Sequence, residues 1–117
     1  MSIISQVGGA AVFSSASGGK VYGFNSLDAV TAVTVAPANT SRRRLTFHNP
    51  GTVNVIVFPT VDGNGAALAP TIAAKGGSFL IFADGGSLTL EGEIQGIWKA
   101  LAASGVSNPL TVMDSNV

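Results

Sequence analysis

A chain of 117 residues with 6 Lys+Arg, 6 Asp+Glu, one His and no Cys has no formal net charge, and the missing thiols exclude a disulfide framework, thiolate metal sites and a cysteine nucleophile. Its length suits one domain that buries roughly two-thirds of its unfolded surface without a staple, and 46% hydrophobic against 10% charged residues is not the composition of a disordered segment. Charge balance leaves no field to steer nucleic acid or an acidic membrane, and one His with six carboxylates is a short inventory for catalysis.

Residues 1–27 carry Gly8-Gly9, Ser14-Ser15, Ser17-Gly18-Gly19 and Gly23 without a sustained period of 2 or 3.6. This reads as a Gly/Ser-rich N-terminal arm that stays mobile in the free subunit or pairs as an irregular strand with a neighbour. A glycine-rich first hairpin around Ser17-Gly18-Gly19-Lys20 is an equal alternative. The first basic residue is Lys20, and Ser5, Gly8, Gly9 and Ser14 interrupt the apolar positions, so no secretion signal is expected. No run of about 18 apolar residues is continuous enough for a membrane helix.

From Ala29 the texture turns to β, with Val30, Val33 and Val35 closed by Pro37. In residues 42–48, Leu45 and Phe47 alternate with Arg44, Thr46 and His48, the pattern of a half-buried strand. Asn49-Pro50-Gly51-Thr52 supplies turn chemistry, and 53–58 is expected to return as the second strand of a hairpin. Residues 59–74 read as loop, with a tight turn at Asp62-Gly63-Asn64-Gly65. Residues 78–83, a second hairpin turn at Asp84-Gly85-Gly86, and 87–91 with Leu88 and Leu90 inward come next. Residues 94–100 read as a strand with Trp98 facing the core, a short helix over 98–103 being the alternative. A last strand places Leu110 and Val112 together. The expectation is an all-β fold: an antiparallel β-sandwich or small jelly-roll-like barrel over 28–117, preceded by the arm over 1–27.

Catalytic motifs are weak. Gly18-Gly19-Lys20 is followed by Val21 where a phosphate loop needs Ser or Thr. His48 has neither a nucleophile nor an orienting carboxylate supplied by a local motif, and reads as a surface or interface histidine. Asp62-Gly63-Asn64-Gly65 lacks the acidic positions that complete a calcium loop, and Asn39-Thr40-Ser41 matters as a glycosylation sequon only in a secreted chain. No catalytic residue, cofactor or metal ligand is expected.

Two features point to surfaces instead. Arg42-Arg43-Arg44 holds half of the basic side chains. Alternation sends Arg42 and Arg44 to one face, with His48 further along it, for docking onto an acidic protein or for guarding an exposed strand edge. In 53–58 and 79–82 both strand faces are apolar, so a second face must be covered by the arm, a loop or another subunit. An oligomer interface through Ile56, Phe58, Leu80 and Phe82 is the expectation adopted.

The stretch Ser41-Arg42-Arg43-Arg44-Leu45-Thr46-Phe47-His48-Asn49-Pro50-Gly51-Thr52-Val53-Asn54-Val55-Ile56-Val57 resembles a pattern of small structural proteins of tailed bacteriophages, in which a basic residue precedes an alternating strand, an Asn- and Gly-containing turn and a Val-rich strand. Residues 96–105 and 110–113 resemble the closing strands of such proteins, and together these cover about a quarter of the chain. The arm and the loop 61–74 have no counterpart. The resemblance implies a virion β-sandwich protein without catalysis: a capsid decoration or head-fibre-base protein, organised as trimers. It would be made in the host cytoplasm, with the major capsid protein and its own copies as partners and neither nucleic acid nor membrane. The alternative is a receptor- or glycan-binding module of a fibre or tail, which needs an exposed aromatic platform from Trp98, Tyr22 and Phe24.

Overall fold

The computed structural model describes residues 2–7, 10–15, 20–92 and 94–116, with side chains from Lys20 onward. Among the described residues there are ten strands: β1 (Ser2–Val7), β2 (Ala10–Ser15), β3 (Lys20–Leu27), β4 (Val33–Ala36), β5 (Arg44–Asn49), β6 (Val55–Pro59), β7 (Phe79–Ile81), β8 (Gly86–Glu91), β9 (Trp98–Ala102) and β10 (Asn108–Ser115). Strands β1 and β2 pair with each other as a two-stranded antiparallel ribbon. The other eight form two antiparallel sheets, ordered β3-β10-β5-β8 and β4-β9-β6-β7. Their pairing is nested: β3 with β10, β4 with β9, β5 with β8, β6 with β7. That nesting across two layers is the jelly-roll form of the sandwich.

The core lies between the layers and follows from the period of 2. Leu27, Leu45, Phe47, Leu110 and Val112 enter it from the first sheet, and Val35, Val55, Val57, Ile81, Trp98, Ala100 and Ala102 from the second. Trp98 faces inward as expected, in β9 and not in a helix, with its ring 5.8 Å from that of Phe47 and 6.0 Å from that of Phe79. Burying each large apolar side chain contributes roughly 1.5–3 kcal/mol before the entropy of ordering it is counted.

The structure corrects three sequence expectations. Residues 44–49 and 55–59 do not form a hairpin, because β5 and β6 lie in different sheets. The turn chemistry at Asn49-Pro50-Gly51-Thr52 steers the chain from one layer to the other. Buried Asn49 organises this crossing: its side-chain amide donates to the carbonyls of Val53 (2.8 Å) and Ile81 (3.2 Å), while its Oδ1 accepts from the Gly51 N–H. Asp84-Gly85-Gly86 is likewise a crossing, from β7 to β8, with Asp84 at φ 61° and Gly85 at φ 102°. The sandwich also begins at Lys20 rather than at residue 28, because β3 pairs along β10 from Lys20 to Leu27. The alternative hairpin around Ser17-Gly18-Gly19-Lys20 falls mainly outside the described residues.

Pro109 lies within β10, an interior strand, where a residue without an N–H is tolerated only at an irregularity. The β10–β3 register shifts between Asn108 and Leu110 to provide one. Asn108 holds it by donating to the carbonyls of Leu27 and Ser104.

Candidate assembly surface

A jelly roll has four strand edges, and exposed edges invite pairing with another chain unless charge or proline guards them. Here β3, β8 and β4 are guarded: Lys20 opens β3, Glu91 closes β8, and Pro37 follows the last residue of β4. The fourth edge, β7, has no such guard. Residues 76–83 hold no charge and no proline, the sheet order ends at β7, and Phe79, Leu80 and Phe82 are 42%, 45% and 64% exposed. With roughly 200 Å² for a fully exposed residue of this size, these three offer about 300 Å² of mostly apolar surface at an open edge.

The outward face of the second sheet is apolar too, and the chain covers much of it itself. Ile56, Phe58 and Leu101 project away from the main core and form a second cluster, against which Ala32, Leu68 and Ile72 pack. The loop between β6 and β7 thus folds back over the sheet that it connects. Its first turn is pinned by Asp62, whose carboxylate accepts from the N–H groups of Asn64 and Ala66. Ile56 and Phe58 are therefore corrected as interface residues: they are buried within one subunit, because the loop supplies the cover expected from a neighbour. Leu80 and Phe82 stay exposed. An apolar groove of about 600 Å³ remains between this loop, Ala29, Val30, Ala32, Phe58, Lys99 and Leu101.

Of the arginines, Arg42 is corrected outright. It is fully buried, because all of its donors are consumed inside the fold. Nε and Nη2 reach the two Asp114 oxygens at 2.9 and 3.0 Å, Nη1 donates to the carbonyls of Ile94 (2.6 Å) and Gly96 (2.9 Å), and Nη2 also reaches the carbonyl of Pro37. Asn39 adds a bond to Asp114 Oδ1, and Gln95 donates to the Arg42 carbonyl. The guanidinium ties β10 to the segments that follow β4 and precede β9, so it cannot face a partner. Arg44 is exposed and pairs across the ladder with Glu91, Nε to Oε1 at 3.1 Å, a contact worth roughly 0–1 kcal/mol in water. Arg43 is exposed, and its N–H donates to the Ser115 carbonyl. His48 is half-buried on the outward face of the first sheet, opposite Thr111 on one side and Ser87 on the other.

The expected site residues therefore divide among three places. Arg44 and His48 share the outer face of the first sheet, Leu80 and Phe82 lie at the far edge of the second, and Arg42, Ile56 and Phe58 are inside. Sequence reading missed Phe79 as an exposed residue, and it missed Asp114 as the partner of Arg42, 72 positions away. The open edge of β7 was signalled only by the missing charge in 76–83. Trp98 is buried and leaves no face for stacking on sugars, whereas Tyr22 and Phe24 are partly buried against the main core. Among the described residues no three His, Asp or Glu side chains come together as a metal-binding group. No family model, no curated protein and no solved structure matches the chain.

Proposed function

We propose that this chain is a non-enzymatic structural protein of a tailed-phage virion that binds the outside of the capsid and reinforces it, associating with its own copies as it does so. The observation that carries this reading is the unguarded edge of β7 with Phe79, Leu80 and Phe82 exposed, since a surface of that kind favours strand addition or apolar docking. The jelly roll is used by capsid proteins and also by lectins and cupins, so the fold alone supports all three. Burial of Trp98, the largest aromatic candidate for stacking on a sugar, weighs against the glycan-binding alternative. Arg43 and Arg44 take over the docking role first assigned to Arg42 and Arg44, with His48 on the same outer face as Arg44.

Immunogold labelling of particles from the source phage, using antibody raised against this chain, is the direct test. Gold on intact heads is the expected result. Label confined to tails would move the protein to a fibre role, and unlabelled particles would overturn the virion assignment.

A further inference from the structure

The β1–β2 ribbon is a two-stranded sheet that, among the described residues, no ladder joins to either layer of the sandwich. A lone two-stranded ribbon is at best marginally stable in water and gains most from a third strand. Its strands, SIISQV and AAVFSS, carry no charge. We propose that the ribbon of one copy adds to the open edge of β7 of a second copy, extending the second sheet by strand pairing. This deepens the self-association in the reading above and rests on it.

Three observations favour that occupant. The first is edge chemistry: β7 alone among the four sandwich edges lacks a guarding charge or proline, and the ribbon is equally uncharged, so neither side has to desolvate an ion to pair. The second is reach. Strand β7 packs beside β8 and β5, whereas β3, from which the ribbon continues, packs beside β4 and β9 at the other edge of the sandwich. To lie next to β7 of its own chain, the ribbon would have to cross about four strand spacings, ~19 Å, and the ~10 Å between layers. Four residues separate Ser15 from Lys20, and a link of that length spans at most ~17 Å. A second copy removes the conflict. The third is area. About 300 Å² at Phe79, Leu80 and Phe82 falls short of the roughly 800 Å² per partner of a stable interface, and twelve ribbon residues with their backbone bonds are the part that is missing. Because ribbon and edge are different surfaces, the contact is heterologous, and copies so joined form a ring where the rotation between them closes and an open filament where it does not.

Sedimentation velocity on the full chain and two point variants tests this. Leu80→Lys places a charge on the β7 edge, and Val12→Pro removes a ribbon N–H without touching either four-stranded sheet. Trp98 fluorescence reports that each subunit is still folded. The wild-type chain is expected to self-associate, and each variant alone to be monomeric, with self-association weakened at least about a hundredfold. Mixing the two variants is the decisive arm: one supplies an intact ribbon and the other an intact edge, so a heterodimer should form. A monomeric wild type overturns the proposal, and so does a mixture that stays monomeric. If Val12→Pro remains oligomeric while Leu80→Lys does not, the contact is edge to edge and the exchange is refuted. The purified chain is used throughout, so absence from virions and absence of exchange are separate results.

Discussion

Replacing Arg42 with Met removes the one guanidinium that neutralises Asp114 inside the sandwich. Both side chains are essentially inaccessible, at 0% and 2% exposure, so the stranded carboxylate cannot recover solvation unless the end of the fold opens. Breaking a buried pair from one side costs about 3–5 kcal/mol. The carbonyls of Ile94, Gly96 and Pro37, which lose their donor in the same step, push the cost towards the upper end. Against the roughly 5–15 kcal/mol that holds a domain of this size together, that is a large fraction. It should lower the thermal midpoint by about 10–20 °C. Arg42→Lys keeps the charge, but a single ammonium cannot span both Asp114 oxygens and carbonyls from two other segments, so it should recover only part of the loss. The double variant Arg42→Met with Asp114→Leu removes both charges and should be more stable than Arg42→Met alone. Urea unfolding followed by the single tryptophan, buried Trp98, measures all of these. Arg42→Met within about 1 kcal/mol of wild type, or a double variant whose loss is the simple sum of the singles, would refute the buried-pair account and return Arg42 to the surface.

Asn49→Ala should destabilise the domain by about 2–3 kcal/mol in the same assay, because it orphans the Val53 and Ile81 carbonyls and the Gly51 N–H at the point where the chain changes layers. Gly86→Ala should cost at least about 1–3 kcal/mol, since its Cβ would run into the backbone carbonyl oxygen of Phe82, which cannot swing away as a side chain could; an unchanged urea midpoint would disprove that close approach. The N–H groups of Thr31 and then Val30, donating to Asp28, hold its carboxyl below the ordinary 3.8. A depressed folded-state pKa adds stability above the unfolded value that is lost as pH falls through the folded one. Asp28→Asn, which keeps the acceptor oxygen but does not titrate, should therefore flatten the acid limb of stability against pH, and an NMR titration of Asp28 at or above 3.8 would contradict this.

What was legible in the chain is whatever depends on neighbours in sequence. Leu45 and Phe47, Leu88 and Leu90, and Leu110 and Val112 alternate with polar residues, so a period of 2 was enough to name the inward side chains, and Trp98 followed from the same parity. Turns were legible as turns, because Asn, Pro and Gly set local dihedral angles whatever lies beyond them. Whether a turn joins two paired strands or throws the chain into the other layer is decided by which strands lie alongside, and β5 pairs with β8 and β10 rather than with β6. The two-faced strand β6 announced that both its sides needed cover. That the cover is Leu68 and Ile72 of the following loop depends on where that loop lands. Arg42 shows the limit most plainly: three consecutive arginines look alike as charges, and only the arrival of Asp114 from the far end of the chain, with three carbonyls around it, gives one of them a partner for every donor inside the fold. Tertiary structure also decided that β7 is an edge, because a strand's outermost place in a sheet is a property of the whole arrangement, and the uncharged run 76–83 does not by itself distinguish an open edge from a buried strand.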